Sequence, residues 1–163
     1  MRIESYSPHY SQGVADLIVP IQREEFQIEI TYQDQPDLTN IPEFYQQGRG
    51  GFWLALEGEQ VIGSIALKDL GHGVGALRKM FVAPSHRGQN KGAAKALLDA
   101  LLDHARISGM TIIYLGTTAK FLAAHRFYEK HGFEGIDEAE LPETFPRMVV
   151  DTRFYVLRLE ASL

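Results

Sequence analysis

Apolar and charged residues recur with a helical period from residue 91 to residue 106. The apolar residues recur at spacings of three and four, at Ala94, Leu97, Leu98, Leu101 and Ala105. Charged residues fill the opposite side, at Lys91, Lys95, Asp99, Asp103 and Arg106. This period predicts an amphipathic helix that packs one face on a sheet. Gly109 follows the pattern and is typical of a helix end.

Three further segments carry a helical signal. Residues 10–25 repeat apolar residues at helical spacing around Pro20, which would kink or divide a helix. A short helix is predicted at Asp37, a suitable N-cap residue. A third helix is predicted from about Thr118, and it ends at Gly132, which suits the left-handed position after a helix.

Six apolar segments predict β-strands, at residues 2–6, 52–56, 61–67, 75–82, 111–115 and 153–159. Turn-rich sequences join the second, third and fourth segments, so we expect these three to form an antiparallel meander. The run "TIIYL" at 111–115 is continuously apolar, which is typical of a strand buried on both faces. The order of strands and helices predicts an α+β fold with a mixed sheet, in a single domain spanning residues 1–163.

Composition narrows the functional classes. The chain is 45% hydrophobic and has a net charge of −5, so we expect neither nucleic-acid nor membrane binding. It contains no cysteine, which excludes disulfides, thiolate zinc sites and a cysteine nucleophile, and favours the reducing cytoplasm. No signal peptide is recognised, and no segment approaches the roughly 20 apolar residues of a membrane span. The six histidines show no spacing typical of a metal site.

The sequence "HRGQNKG" immediately precedes the long predicted helix. The first turn of a helix has about four unpaired N–H groups and a partial positive charge. Gly88 and Gly92 let a ligand approach the backbone, while Arg87 and Lys91 add positive charge. This pattern predicts a phosphate or pyrophosphate site, and an ordinary surface loop is the alternative. The spacing matches neither a P-loop nor a dinucleotide-binding fingerprint.

Two segments together resemble the GCN5-related N-acetyltransferase (GNAT) family. They are "LRKMFVAPSHRGQNKGAAKALL" at 77–98 and "AAHRFYEKHGF" at 123–133. The resemblance implies a mixed central sheet with an antiparallel meander and flanking helices, and acyl-CoA bound where the sheet splays at its centre. It also implies an acetyl-CoA-dependent N-acetyltransferase that modifies a primary amine, of a small molecule or a peptide, by direct attack.

The resemblance also assigns candidate cofactor contacts. Backbone groups of Phe81 and Val82 would pair with the pantetheine arm. The pyrophosphate would be held by backbone N–H groups of the turn, from Arg87, Gly88, Gln89, Asn90, Lys91, Gly92 and Ala93. Asn90 stands where the family has glycine, and Asn tolerates left-handed backbone angles. Phe121 stands where relatives often have an asparagine that contacts the cofactor, so this contact would fall to Thr117 or Thr118.

Tyr128 occupies the place of the family's proton donor and would protonate the departing thiolate, with a packed aromatic as the alternative. The general base is not identifiable, because the strand at 75–82 carries Arg78 and Lys79 instead of a carboxylate. More distant groups could act through water, namely Glu24, Glu25, Glu57 and His72. If Arg78 or Lys79 faces the acceptor, an acidic substrate is favoured. The aromatic and acidic stretch at 24–50 is the expected wall of the acceptor cleft.

Two other functional classes remain open on the sequence. One is a catalytically silent acyl-CoA-binding module that senses the cofactor or serves as an interaction domain. The other is a nucleotide-binding protein that uses the same turn for ATP. Family analogy also makes a homodimer plausible, through an exposed C-terminal strand.

Overall fold

A seven-stranded mixed sheet forms the centre of the fold in the computed structural model, which describes residues 1–88, 92–119, 122–148 and 150–159. The strands are β1 (Arg2–Ser5), β2 (Gly51–Glu57), β3 (Gln60–Gly71), β4 (Val74–Val82), β5 (Ile112–Thr117), β6 (Glu134–Ile136) and β7 (Arg153–Arg158). The helices are α1 (Ser11–Glu24), α2 (Pro36–Thr39), α3 (Ile41–Phe44), α4 (Ala93–Ile107) and α5 (Leu122–Lys130). The strand order is β1-β2-β3-β4-β5-β7-β6.

The sheet opens between its two parallel strands. Strands β1 to β4 form the predicted antiparallel meander, and β5, β7 and β6 form a second antiparallel group. These halves meet only where Val74–Ala76 of β4 pairs with Ile112–Tyr114 of β5. Both strands then continue unpaired with each other, to Val82 and to Thr117. The result is a wedge at the centre of the sheet, which confirms the predicted mixed and splayed architecture.

Hydrophobic packing covers both faces of the sheet. On one face, α1 packs with α2 and α3 against alternate residues of β2, including Phe52, Leu54 and Leu56. On the other face, α4 packs through its predicted apolar side, including Leu97, Leu98 and Leu101. Tyr128 and Phe133, from α5 and the residues after it, join this second core.

Two helical predictions are corrected by the structure. Helix α1 continues through Pro20, which lies on the exposed side, so the predicted division is wrong, while the predicted kink stays a prediction. Asp37 is not an N-cap: Gln35 occupies that position, and α2 begins at Pro36. The Asp37 side chain is instead buried.

Several strand predictions also change. Strand β6 was not predicted, because its three residues are too few for a periodic signal. Strand β5 buries only alternate residues fully, Ile113 and Leu115. Among the described residues, helix α5 spans Leu122–Lys130, so it starts later than the predicted position at about Thr118. Strand β7 pairs with β5 on one side and with β6 on the other, so it is not the exposed edge expected for a dimer contact.

Candidate functional site

A β-bulge directs the second half of β4 away from β5. The pairing of β3 with β4 shifts between Ser64 and Ala66, where Lys79 and Met80 lie opposite a single residue of β3. Lys79 has a left-handed φ of +53°, and the Ser64 hydroxyl donates a hydrogen bond of 2.7 Å to its carbonyl oxygen. Bulges bend a strand and redirect side chains next to functional sites.

A cavity of about 490 Å³ occupies the wedge. Strand β4 lines it with Arg78, Lys79 and Phe81, and the end of β5 lines it from Gly116 to Ala119. Phe26 and Ile28, from the stretch predicted as the acceptor wall, close one side. The segment before β7 closes another side, through Phe145, Pro146, Met148, Val150, Asp151 and Thr152. Thr117 and Thr118, predicted to contact the cofactor, both lie in this lining.

The Lys79 ammonium is buried and paired. Its side chain is 7% exposed, and Nζ lies 3.2 Å from Asp37 Oδ2 and donates to Gln35 Oε1 at 3.1 Å. The Tyr45 hydroxyl donates to the same Asp37 oxygen at 2.6 Å. Burial lowers the pKa of Lys79, and the facing Asp37 carboxylate offsets part of that effect. The pair fastens α2 to β4 beneath the cavity.

Arg78 offers a guanidinium to the cavity. It lies 5.9 Å from the Phe44 ring centre and 6.0 Å from that of Tyr45. Its Nη2 contacts Met148 Sδ at 3.4 Å. Among the residues described, no carboxylate oxygen lies within 4.0 Å of Arg78 in an ion pair. This cation is therefore available to an anionic group of a ligand.

Asp151 is a carboxylate in the same lining that sequence analysis missed. A Cβ atom added at Gly116 would lie 2.7 Å from Asp151 Oδ2, so the carboxylate rests directly on that glycine. Burial raises the pKa of Asp151, while Arg78 and Lys79 act in the opposite direction. Its proximity to β5 depends on the pairing of β7 with β5, which sequence spacing alone does not reveal.

Tyr128 lies in the core beside the wedge and does not line the cavity. Its hydroxyl donates to Met80 Sδ at 3.6 Å, and its ring packs against Phe133 and Tyr155. Burial raises the pKa of Tyr128 strongly, and the nearby charge of Asp151 adds to the effect. The phenol is therefore protonated at neutral pH, which a proton donor requires. Its catalytic role stays a prediction.

The two glycines on either side of residues 89–91 lie in open space. Gly88 and Gly92 adopt φ values of +115° and +73°, and a Cβ at either position would meet no described atom within 4 Å. Helix α4 starts at Ala93 with no side-chain hydrogen bond from its N-cap, Gly92. Open space in front of unpaired N–H groups fits a diphosphate. Gln89, Asn90 and Lys91 lie outside the described residues.

The Arg87 side chain is engaged within the protein. It forms a two-point ion pair with Glu25, at 2.6 and 2.8 Å, and its Nε donates to the Val82 carbonyl at 2.8 Å. The turn is thus connected to the end of α1.

Phe81, which lines the cavity, lies opposite Ser64 on β3. The predicted pantetheine contacts of Phe81 and Val82 stay predictions.

The distant groups considered as bases do not reach the cavity. Glu25 is paired with Arg87, and Glu57 accepts a contact of 2.6 Å from His86. Glu24 and His72 are absent from the cavity lining within the described part of the chain. Asp151 is the carboxylate that the structure brings to the wedge instead.

A splayed mixed sheet followed by an open glycine turn is the architecture expected of an acyl-CoA-dependent acetyltransferase. The chain belongs to the acetyltransferase (GNAT) family, whose profile matches residues 15–133. It is 38% identical to a GNAT acetyltransferase structure from Staphylococcus aureus Mu50, with a TM-score of 0.91 over 98% of this chain and 99% of that one. An acetyltransferase structure from Streptococcus agalactiae is 35% identical, with a TM-score of 0.90 over 97% and 98% of the two chains.

A curated relative from Xenopus tropicalis is named N-acetylaspartate synthetase. It is 34% identical over 126 residues, which make up 75% of this chain and 46% of that protein. The chain therefore spans about half the length of this relative. A second curated relative, from Rattus norvegicus, is named N-acetyltransferase 8B and is 34% identical over 102 residues, which make up 60% of this chain and 46% of that protein.

Proposed function

We propose that this protein transfers the acetyl group of acetyl-CoA to the amine of a small acceptor that also carries a carboxylate. An amino acid of the aspartate type is the acceptor class that we favour. The proposal combines the family's use of acetyl-CoA with the charges of the cavity. The observation that carries it is the Arg78 guanidinium, which lines the cavity and has no described carboxylate oxygen within 4.0 Å, although the charge of Asp151 acts on it from farther away.

The wedge and the turn together suit acetyl-CoA. Backbone N–H groups between Arg87 and Ala93 would hold its diphosphate, and the unpaired edge of β4 would receive the pantetheine arm. Thr117 and Thr118 lie on the facing strand end. When bound, acetyl-CoA supplies a thioester whose carbonyl carbon accepts an amine.

Arg78 supports an acidic acceptor. A guanidinium binds a carboxylate through two parallel hydrogen bonds, so it fixes orientation as well as charge. The Phe44 and Tyr45 rings beside it limit the positions that its side chain can take. The name of the Xenopus tropicalis relative, N-acetylaspartate synthetase, agrees with this chemistry.

Transfer would proceed by direct attack of the amine. The chain contains no cysteine. The hydrogen-bonded chain of Ser85, His86 and Glu57, at 2.8 and 2.6 Å, lies outside the cavity lining, so a covalent acyl-enzyme has no support within the cavity. Tyr128 would give its proton to the leaving sulfur. Because its pKa lies far above that of a thiol, this transfer is uphill and assists only modestly.

A thiol-release assay over a panel of amines tests the proposal. We expect aspartate and glutamate to be acetylated in preference to asparagine, glutamine and simple alkylamines. Arg78→Gln should raise the KM of the acidic acceptor about 10- to 100-fold, since a hydrogen bond to a charged group contributes roughly 1.5–3 kcal/mol. The matched control is Arg106→Gln on α4, which should leave KM unchanged.

Two results would contradict the proposal. Equal turnover of neutral and acidic amines, with no effect of Arg78→Gln, would remove the carboxylate subsite. Thermal stabilisation by acetyl-CoA without thiol release from any amine would favour the silent binding module instead.

Three expectations from the sequence stay predictions: a single domain, a cytoplasmic location and a homodimer. For the described residues, none of the helices has both the length and the apolar character needed to cross a bilayer.

A further inference from the structure

We infer that Asp151 is the general base that removes a proton from the acceptor's ammonium group. The inference rests on the proposed acetyl transfer, and it assigns the function that sequence analysis left without a residue. Asp151 is the carboxylate in the described lining of the cavity, where the other charged groups are Arg78 and Lys79.

The protein holds this carboxylate in a fixed place at the wedge. The Asp151 N–H donates to the Met148 carbonyl at 3.0 Å. On the other side, Thr152 is bound to the end of β5, because its N–H donates to the Thr117 carbonyl at 3.0 Å and its hydroxyl accepts from the Ala119 N–H at 3.0 Å. The absence of a side chain at Gly116 leaves the space that the carboxylate fills.

The surrounding charges suit a base that binds a cation. The positive charges of Arg78 and Lys79, on β4, lower the pKa of Asp151. The negative charge of Asp151 in turn raises the pKa of Tyr128, on α5. Lys79 is already paired with Asp37, and Arg78 would be engaged by the acceptor's carboxylate. Asp151 is then left to the ammonium group. Burial raises its pKa, which narrows the gap to an amine of pKa about 8 to 10 and makes proton transfer less uphill.

Acetyl transfer requires the removal of two protons from the ammonium nitrogen. The ammonium gives one proton to Asp151, which becomes a neutral carboxyl group. The nitrogen lone pair forms the new N–C bond with the thioester carbon, and the C–S bond breaks with its electron pair on sulfur. Tyr128 protonates that sulfur and recovers a proton from the nitrogen. Asp151 finally releases its proton to water, so one proton is produced in each turnover.

The dependence of kcat/KM on pH tests this role. Asp151→Asn should lower kcat/KM about 10²- to 10⁴-fold at neutral pH, the usual contribution of a general base. The deficit should shrink as the pH rises toward the pKa of the acceptor amine, because the free amine needs no base. Acetyl-CoA affinity should be unchanged. Asp103→Asn, at an exposed carboxylate on α4, is the matched control and should behave like the unaltered protein.

A purely structural role would give a deficit of the same size at every pH, and that result would overturn the inference. Unaltered activity would also overturn it. A carbon-13 NMR titration of the aspartate carboxyl groups is a second measurement, and it needs neither turnover nor a stable Asn variant. The Asp151 signal is assigned as the one that is lost in Asp151→Glu. We expect Asp151 to titrate above the ordinary aspartate value, and an ordinary value would contradict its role. If no amine releases thiol, the proposed function fails, and the titration still judges Asp151.

Discussion

Burial of Tyr128 changes the pKa of its hydroxyl, the group proposed as the proton donor. Its ring lies between Phe133 and Tyr155, and its hydroxyl faces Met80 Sδ. Desolvation raises its pKa, so the phenol keeps its proton at neutral pH but is a weaker acid than an exposed tyrosine.

Replacing Tyr128 with Phe should therefore lower kcat about 100-fold, the low end of the range for general acids. Acetyl-CoA affinity should stay within about twofold, because the hydroxyl contacts a methionine sulfur of the core. Steady-state kinetics and calorimetric titration measure the two quantities. Unchanged kcat would remove Tyr128 from the mechanism.

Single residues of the site differ in how far sequence could identify them. Gly88 and Gly92 were predicted from the glycine pattern before the helix, and Tyr128 from the family resemblance; their roles stay predictions. Asp151, the proposed base, is placed at the wedge by its position against Gly116, and the two residues are distant in sequence. The ion pair of Arg87 with Glu25 is equally non-local. The positive charge of Arg87 next to the glycines predicted a contact with the ligand, whereas its side chain is paired with Glu25 at the end of α1.

The turn before α4 is the element on which cofactor binding depends. We expect Gly92→Val to weaken acetyl-CoA binding at least tenfold, since a side chain would fill the open space in front of the helix amides. Backbone strain at positive φ also lowers stability, by about 1–2 kcal/mol.

Gly58→Val provides a matched control for this strain. Gly58 has a φ of +60° and also meets no described atom within 4 Å, but it lies in the turn between β2 and β3. Both variants should lose similar thermal stability, while only Gly92→Val loses affinity. Equal affinity in the two variants would contradict the proposed diphosphate site.

The link between α2 and β4 is a second element-scale feature. Lys79→Met would leave Asp37 buried without its ion partner, and breaking such a pair commonly costs about 3–5 kcal/mol. We expect the double variant Lys79→Met with Asp37→Asn to recover much of that loss. Urea unfolding of the single and double variants measures the difference. Equal stability of the two variants would show that the pair does not fasten α2 to the sheet.

Element types were predictable where hydrophobic periodicity was long. The period in "AAKALLDALLDHARI" gave α4 and its buried face, and the apolar runs gave the meander. Periodicity failed for β6, which has three residues. N-cap preference misassigned Asp37, because the contacts of its side chain with Tyr45 and Lys79 come from other elements. Propensity at a helix start does not report such tertiary pairing.

For the whole molecule, the opening between β4 and β5 joins the two halves of the site. The turn lies at the end of β4 that enters the opening, and the charged cavity lies within it. Acetyl-CoA should consequently stabilise the fold by about 2.7 kcal/mol at 100 times its Kd.

The α+β class was predictable from element order. The closure of the cavity by the segment before β7 was not, because it depends on the position of β7 between β5 and β6.

The central claim is that the turn from Arg87 to Ala93 binds the cofactor's diphosphate and directs its thiol end into the wedge. A crystal structure with bound coenzyme A measures this directly. We expect diphosphate oxygens within hydrogen-bond distance of the turn's backbone N–H groups, and the sulfur between β4 and β5 near Asp151 and Tyr128. A diphosphate bound elsewhere, or a sulfur outside the wedge, would contradict it.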